Sequence, residues 1–307
     1  MVAQSTRRKD LQAYLADLSE PRLSQTARDF LHKSGQSLAA GEPFGQRLAL
    51  ASRYAKRRPL ELTPEEDGQA QKLLPGWTPA AWNQLELLRI QLVLARPDLE
   101  ESAFAEDFEG WFRFADEGET CALYRSLPLL PGPERFVWRA AEACRTNMVS
   151  VFQALALDSP YPVQYFDDTA WQQLVVKALF LDQPLHRIAG LDRRLTPELT
   201  RMALDWAQER SSAGRHYYLG LWLCLGPHRG ERVAALLREH WPQADARERE
   251  AMLLAAARAG QRHWLAEIEA RGLEEPLKHR LHRVAEGRYG QAEFADLFGQ
   301  APRVNSV

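Results

Sequence analysis

Three Thr-Pro pairs, Thr63-Pro64, Thr78-Pro79 and Thr196-Pro197, punctuate a chain in which strand signals are nearly absent. A threonine hydroxyl accepts a hydrogen bond from the backbone at a helix start. Proline at the first helical position gives up an N–H that has no partner there anyway. Each pair therefore predicts a helix beginning. Thr63 is followed three residues later by Glu66, completing a capping box. After Thr78, the residues Trp82, Leu85, Leu88, Ile90, Leu92 and Val93 recur mostly at helical spacing, and Pro97 closes the segment. A long helix is predicted from about 134 to 157, with Val137, Ala141, Cys144, Met148, Val151 and Leu155 as its buried stripe.

The C-terminal third is plainer. Amphipathic, Ala/Leu/Arg-rich helices are predicted near 229–241, 245–258, 261–270 and 273–286, separated by a Trp-Pro-Gln turn, Gly260 and Gly272. The expected fold is all-α: an array of antiparallel helices like a HEAT-type α-solenoid, right-handed and curved, with a concave side. Residues 1–225 are expected to form one all-α domain, and 226–300 to pack on it as helix pairs in one continuous array. Residues 301–307 are expected to be a frayed tail.

Composition narrows the function classes. A net charge of -2 over 307 residues argues against disorder and against a non-specific nucleic-acid footprint. Basic residues are overwhelmingly Arg, which compositional bias explains more simply than phosphate recognition. Cys121, Cys144 and Cys224 lie far apart in apolar helical runs, a pattern that fits a reduced compartment. The N-terminus has no apolar signal core. The run from Leu174 to Leu181 is too short to cross a bilayer and contains Lys177. A soluble, cytoplasmic protein is expected.

Polar and aromatic residues concentrate between Glu142 and Arg215. Glu142 precedes Arg145 by three positions on the predicted helix, so the two can pair on one flank. Asn147 is a poor helix former whose amide needs partners, either a neighbouring loop or a ligand. Prolines on both sides of Tyr161 predict an extended elbow presenting a phenol. Asp167 or Asp168 caps the next helix, Ala170 to Leu181, which is apolar nearly all the way round and expected to be central. Gln172, Gln173 and Lys177 are its strongly polar members. Lys177 either snorkels or meets a carboxylate or an anionic ligand. Asp205 and Glu209 share a face near Arg210 and Arg215, which predicts an ion-pair network in preference to a cation site. No zinc-binding His-Glu-x-x-His, Walker loop, dinucleotide Gly-x-Gly-x-x-Gly or Gly-x-Ser-x-Gly elbow occurs. His279 and His282 have no third ligand nearby in the sequence, so neither a metal nor a cofactor is expected.

Several segments of the chain resemble the EboA family. They are PGWTPAAW (Pro75 to Trp82), ALYRSLPLLP (Ala122 to Pro131) and EACRTNM with the following VFQALAL (Glu142 to Leu157). PYP (Pro160 to Pro162), AWQQLVVKALF (Ala170 to Phe180), the Pro-Leu-x-x-Ile-x-Gly-Leu-Asp-x-Arg run (Pro184 to Arg194) and ER-x-x-AGR (Glu209 to Arg215) continue the resemblance. It spans roughly 25–225. Three positions depart from the family pattern: Ser159 and Gln172 each stand where Asn is expected, and Gln208 where His is expected. The resemblance implies a place beside a membrane prenyltransferase and a sugar-phosphate-cyclase-like enzyme, in a pathway that makes a secondary-metabolite precursor or moves it across the inner membrane. It assigns no reaction.

Two functional expectations follow. The first is a non-enzymatic binding or scaffold protein that holds a small polar metabolite or another pathway protein, such as the prenyltransferase. Its candidate ligand-binding residues are Glu142, Arg145, Asn147, Tyr161, Lys177, Arg194, Glu209 and Arg215. It would be cytoplasmic, peripheral to the membrane through its partners. The alternative is an enzyme of unfamiliar type, with Lys177 as base or nucleophile and Glu142 or Glu209 as proton partner.

Overall fold

The structure, a computed structural model, describes residues 2–299. The all-α expectation holds: no strand occurs among the described residues, and one isolated bridge pairs Pro59 with Asn83. The tail expected at 301–307 lies outside the described residues. The chain divides between Trp171 and Gln172 into two compact units.

The first unit runs through α1 (Val2–Arg22), α2 (Gln25–Ala39), α3 (Phe44–Leu50), α4 (Pro64–Leu73), α5 (Gln84–Leu94), α6 (Ser102–Trp111), α7 (Glu117–Ser126), α8 (Val137–Ala143), α9 (Val149–Ala156) and α10 (Tyr161–Tyr165). At its centre is α5, in which every residue from Leu85 to Leu94 is buried. It packs against α1, α2, α3 and α7, and α7 in turn packs against α9. Such a helix must satisfy its polar residues internally. Glu86 forms an ion pair with Arg125. Arg89 lies 3.2 Å from Glu119 and 3.6 Å from Asp116, and donates to the Leu48 carbonyl at 3.3 Å. The Gln91 amide donates to the Leu15 carbonyl and the Ser19 hydroxyl, both at 2.7 Å.

Thr63 and Glu66 form the expected capping box at α4. Thr78 does not start a helix. Its hydroxyl donates to Asp67 and accepts from the Ala80 N–H at 3.1 Å, which holds a turn. Asn83 and Glu86 form the capping box that opens α5 instead. The expected 134–157 helix is also broken, into a 3-10 turn at Pro133–Phe136, then α8, then α9. Between α8 and α9 the Thr146 hydroxyl accepts from the Met148 N–H at 3.1 Å, a local bond that competes with helix. Met148, expected in the buried stripe, is exposed. The Pro-Tyr-Pro elbow is helical rather than extended, because Pro162 sits in the first turn of α10, where a missing N–H costs nothing.

The boundary between the units falls in α11 (Asp168–Phe180), capped by Asp167, whose carboxylate accepts from the Ala170 N–H at 2.7 Å. This helix is one-sided rather than buried all round. Trp171, Leu174, Val175, Ala178 and Leu179 are buried, whereas Gln173 and Phe180 are exposed. The second unit continues with α12 (Pro197–Ser212), α13 (Gly220–Leu223), α14 (Gly230–His240), α15 (Ala246–Arg258), α16 (Arg262–Ala270), α17 (Leu277–Ala285) and α18 (Ala295–Phe298). Thr196 caps α12 through the Leu199 N–H at 3.0 Å. The central element is α15, buried from Ala251 to Ala256 and packed against α13, α14, α16, α17 and α18.

Arg258, in the last turn of α15, donates to the Leu223 and Leu225 carbonyls, each at 3.1 Å, and to Asp192 at 2.6 Å. Gly190, at a φ of 74° that side chains resist, opens the turn carrying Asp192. The second Asp192 oxygen accepts from the Gln291 N–H at 2.6 Å.

The buried Arg89–Glu119 pair yields a prediction for the first unit. Arg89→Met leaves the Glu119 carboxylate buried beside an apolar chain and is expected to destabilise by about 3 kcal/mol. Arg89→Met with Glu119→Gln is expected to recover at least half of that loss. Urea unfolding of the two variants checks this, and a near-neutral single variant would contradict the role given to the pair.

Candidate functional site

The sequence-derived candidates divide four and four between the units. In the first unit Glu142 and Arg145 do pair, but on the surface, with the Arg145 side chain 65% exposed. Asn147 is also exposed, in the break between α8 and α9. Tyr161 presents no phenol to solvent: it is fully buried and its hydroxyl donates to the Pro133 carbonyl at 2.6 Å. Burial pushes that phenol well above its ordinary range. In the second unit Lys177 is half-buried on α11, and Arg194 is half-buried at the end of a 3-10 turn. Glu209 and Arg215 are exposed. The network expected around Asp205 exists with other arginines: Arg201 and Arg232 pair with it, the latter at 2.8 Å. Among the departures from the family pattern, Ser159 accepts from the Tyr161 N–H at 3.3 Å, and the Gln172 amide donates to the Thr196 hydroxyl at 3.4 Å.

The arginine that stands out is Arg210. Trp206 precedes it by one helical turn, so the two share a face of α12. The Arg210 guanidinium carbon lies 5.0 Å from the Trp206 ring centre and 4.3 Å from that of Tyr218. Those two rings are 5.7 Å apart. Its Nε donates to the His216 carbonyl at 2.6 Å, which fixes the plane of the group. The two terminal nitrogens have no hydrogen-bond partner among the described residues. A half-buried cation held against two aromatic rings, with donors left over, has the chemistry to accept an anion. Phe180, 55% exposed, lies edge-on to Trp206 at 6.2 Å.

Two residues beyond Phe180 the chain reaches Asp182 at φ 51°, a left-handed position that closes α11. The Asp182 N–H donates to the Leu179 carbonyl at 3.2 Å and the Gln183 N–H to that of Ala178 at 2.9 Å, a paired terminus in which glycine is usual. Although the residue as a whole is exposed, desolvation raises the pKa of its carboxyl, against the opposing pull of Arg210 and Arg247.

On the other side of the 216–218 segment, Tyr217 stacks 4.4 Å from His240. His240 Nε2 lies 2.9 Å from a Glu248 carboxylate oxygen, and Trp222 Nε1 donates to that same oxygen at 3.3 Å. The Gln243 amide nitrogen lies 3.1 Å from His240 Nδ1. Despite its short approach to Glu248, Nε2 is buried without a hydrogen-bond partner among the described residues. Tyr217 packs this cluster against the 216–218 segment, which carries Tyr218 and the His216 carbonyl. No group of three or more His, Cys, Asp or Glu side chains able to hold a metal occurs among the described residues.

From the sequence, Arg210 is expected in an ion-pair network. The signal that could have found it is Trp206-x-x-x-Arg210, an aromatic–arginine pair one turn apart near a helix end and followed closely by two tyrosines. Asp182 could not have been found this way, since its backbone conformation has no sequence mark.

A family model described as metabolite traffic protein EboA matches residues 11–226. The match contains Phe180, Asp182, Trp206, Arg210 and Tyr218, and ends before His240 and Glu248. No curated protein and no solved structure gives a significant match.

Asp182 provides a test of these electrostatics. Its pKa is raised in the folded chain, so folding binds a proton more readily and stability falls as pH rises through that window. Asp182→Asn, which keeps left-handed tolerance without the charge, is expected to raise the melting temperature at pH 7. The difference should vanish below the ordinary carboxyl value of 3.8. Thermal melts across this range check it.

Proposed function

The chain belongs to the EboA family, and from that premise we propose that it is a binding protein in metabolite traffic. It holds a polar, negatively charged metabolite on the Arg210 shelf without transforming it. The observation that carries this reading is the pair of terminal Arg210 donors, unpaired among the described residues, on a guanidinium that lies against both Trp206 and Tyr218. A preformed planar donor pair suits reversible capture, because little side-chain freedom is lost when the ligand arrives. Traffic demands that the cargo come off intact, and a stacked guanidinium supplies affinity without a nucleophile.

The protein would hand this cargo to another member of its pathway, including a membrane prenyltransferase. It would do so without a helical span of its own, as no described helix is long and apolar enough to cross a membrane. The catalytic alternative is less well supported. Glu142 is engaged by Arg145 on the surface, and Glu209 is exposed on α12.

Native mass spectrometry tests the reading on protein purified from its own host. The wild type is expected to carry a small molecule, and Arg210→Gln to emerge bare with an unchanged circular-dichroism spectrum. A charge-assisted hydrogen bond to an anion contributes about 2 kcal/mol, or roughly 30-fold in affinity, enough to empty the site during purification. A bare wild type in repeated preparations, or equal occupancy in the variant, would refute it.

A further inference from the structure

We propose that the ligand of this shelf is an amphiphilic oxyanion. A carboxylate or phosphate head would sit on Arg210, and an apolar body would lie along Phe180. The inference rests on the binding role just described and adds the chemical class of the cargo.

Its basis is the position of Phe180. This ring sits in the last turn of α11, and 55% of the residue is exposed. In the second unit the only other large hydrophobic residue exposed among those described is Tyr289, at 37%, whose hydroxyl suits it to water. Single exposed aromatic side chains are ordinary, and Phe114 and Trp138 of the first unit are more exposed still, so what singles Phe180 out is its neighbour. Its edge meets Trp206, the buried ring on which Arg210 lies, so one aromatic side chain links Phe180 to the guanidinium.

The head follows from geometry. The terminal nitrogens of a guanidinium form a planar fork that matches two oxygens of one carboxylate or phosphate. Arg210 Nε is already committed to the His216 carbonyl, so the fork is fixed in orientation. A purely polar sugar would leave Phe180 wet, and a neutral hydrocarbon would leave the fork unpaired. An amphiphile with one oxyanion satisfies both. Carboxylate and phosphate share this chemistry and differ in charge, so the probes separate them.

Isothermal titration of the full chain with acetate, inorganic phosphate, octanoate, octyl phosphate and octanol tests the proposal, each octyl compound being kept below its micellar concentration. Octanoate or octyl phosphate is expected to bind at least about 10-fold more tightly than its own headgroup alone. The tighter of the two names the head. Octanol is expected to bind at least about 10-fold more weakly than that compound. Phe180→Ala, a change at an exposed position, is expected to abolish the advantage of the octyl chain over its bare headgroup. Arg210→Gln is expected to weaken both octyl anions. Equal binding of an octyl anion and its bare headgroup, lost in Arg210→Gln, would overturn the amphiphile and leave the anion receptor standing. Octanol binding as tightly as the octyl anions, no binding by any probe, or anion binding undiminished in Arg210→Gln would overturn both.

Discussion

Many short helices mean many connecting segments, whose carbonyls have no helical partner, and in this chain guanidinium groups supply the missing donors. Arg22 donates to the carbonyls of Leu18, Leu60 and Glu61 while pairing with Glu66. Arg135 donates to those of Leu99, Glu101, Pro131 and Gly132, and also lies over Phe104 and Phe136. Arg258 closes Leu223 and Leu225 in the same manner. Lysine, with one charged nitrogen and no fixed plane, could not span such sets. The arginine excess, explained from sequence alone as compositional bias, has a structural use.

This economy gives Arg210 its meaning. It makes one carbonyl contact, to His216, and rests on two rings, yet it carries terminal donors that its counterparts have committed. Several parts of the family signature, by contrast, serve the fold. Arg125, within the ALYRSLPLLP segment, pairs with the buried Glu86 of α5. Tyr161 anchors the Pro-Tyr-Pro segment to Pro133. Asp192 ties its own turn to Arg258 and to Gln291, a residue beyond the end of the family match. In the second unit, helices outside the match therefore brace the turn within it.

The helical class and the C-terminal helices were legible because they depend on local chemistry. Gly260 and Gly272 separate α15, α16 and α17 close to the predicted bounds, and Thr63 and Thr196 cap as their sequences imply. What was not legible depends on competition between near-equal local choices or on distant partners. At Thr146 a side-chain bond outcompetes helix continuation, and Asn83 displaces Thr78 as the cap of α5. Of the proposed shelf, Arg210 lies within the Glu142–Arg215 stretch whose density of polar and aromatic residues the sequence shows. The choice among its arginines turned on the rings of Trp206 and Tyr218, and no single residue's type reveals such an arrangement.

The central claim, that ligand recognition resides in the Arg210 shelf rather than in the exposed Glu142–Asn147 segment, is tested most directly by hydrogen–deuterium exchange of the full chain with and without small-molecule extract from its host. The account predicts slowed exchange in peptides covering 177–183 and 206–218, with 142–148 unchanged. Protection confined to 142–148, with the Arg210 peptides unaffected, would contradict it.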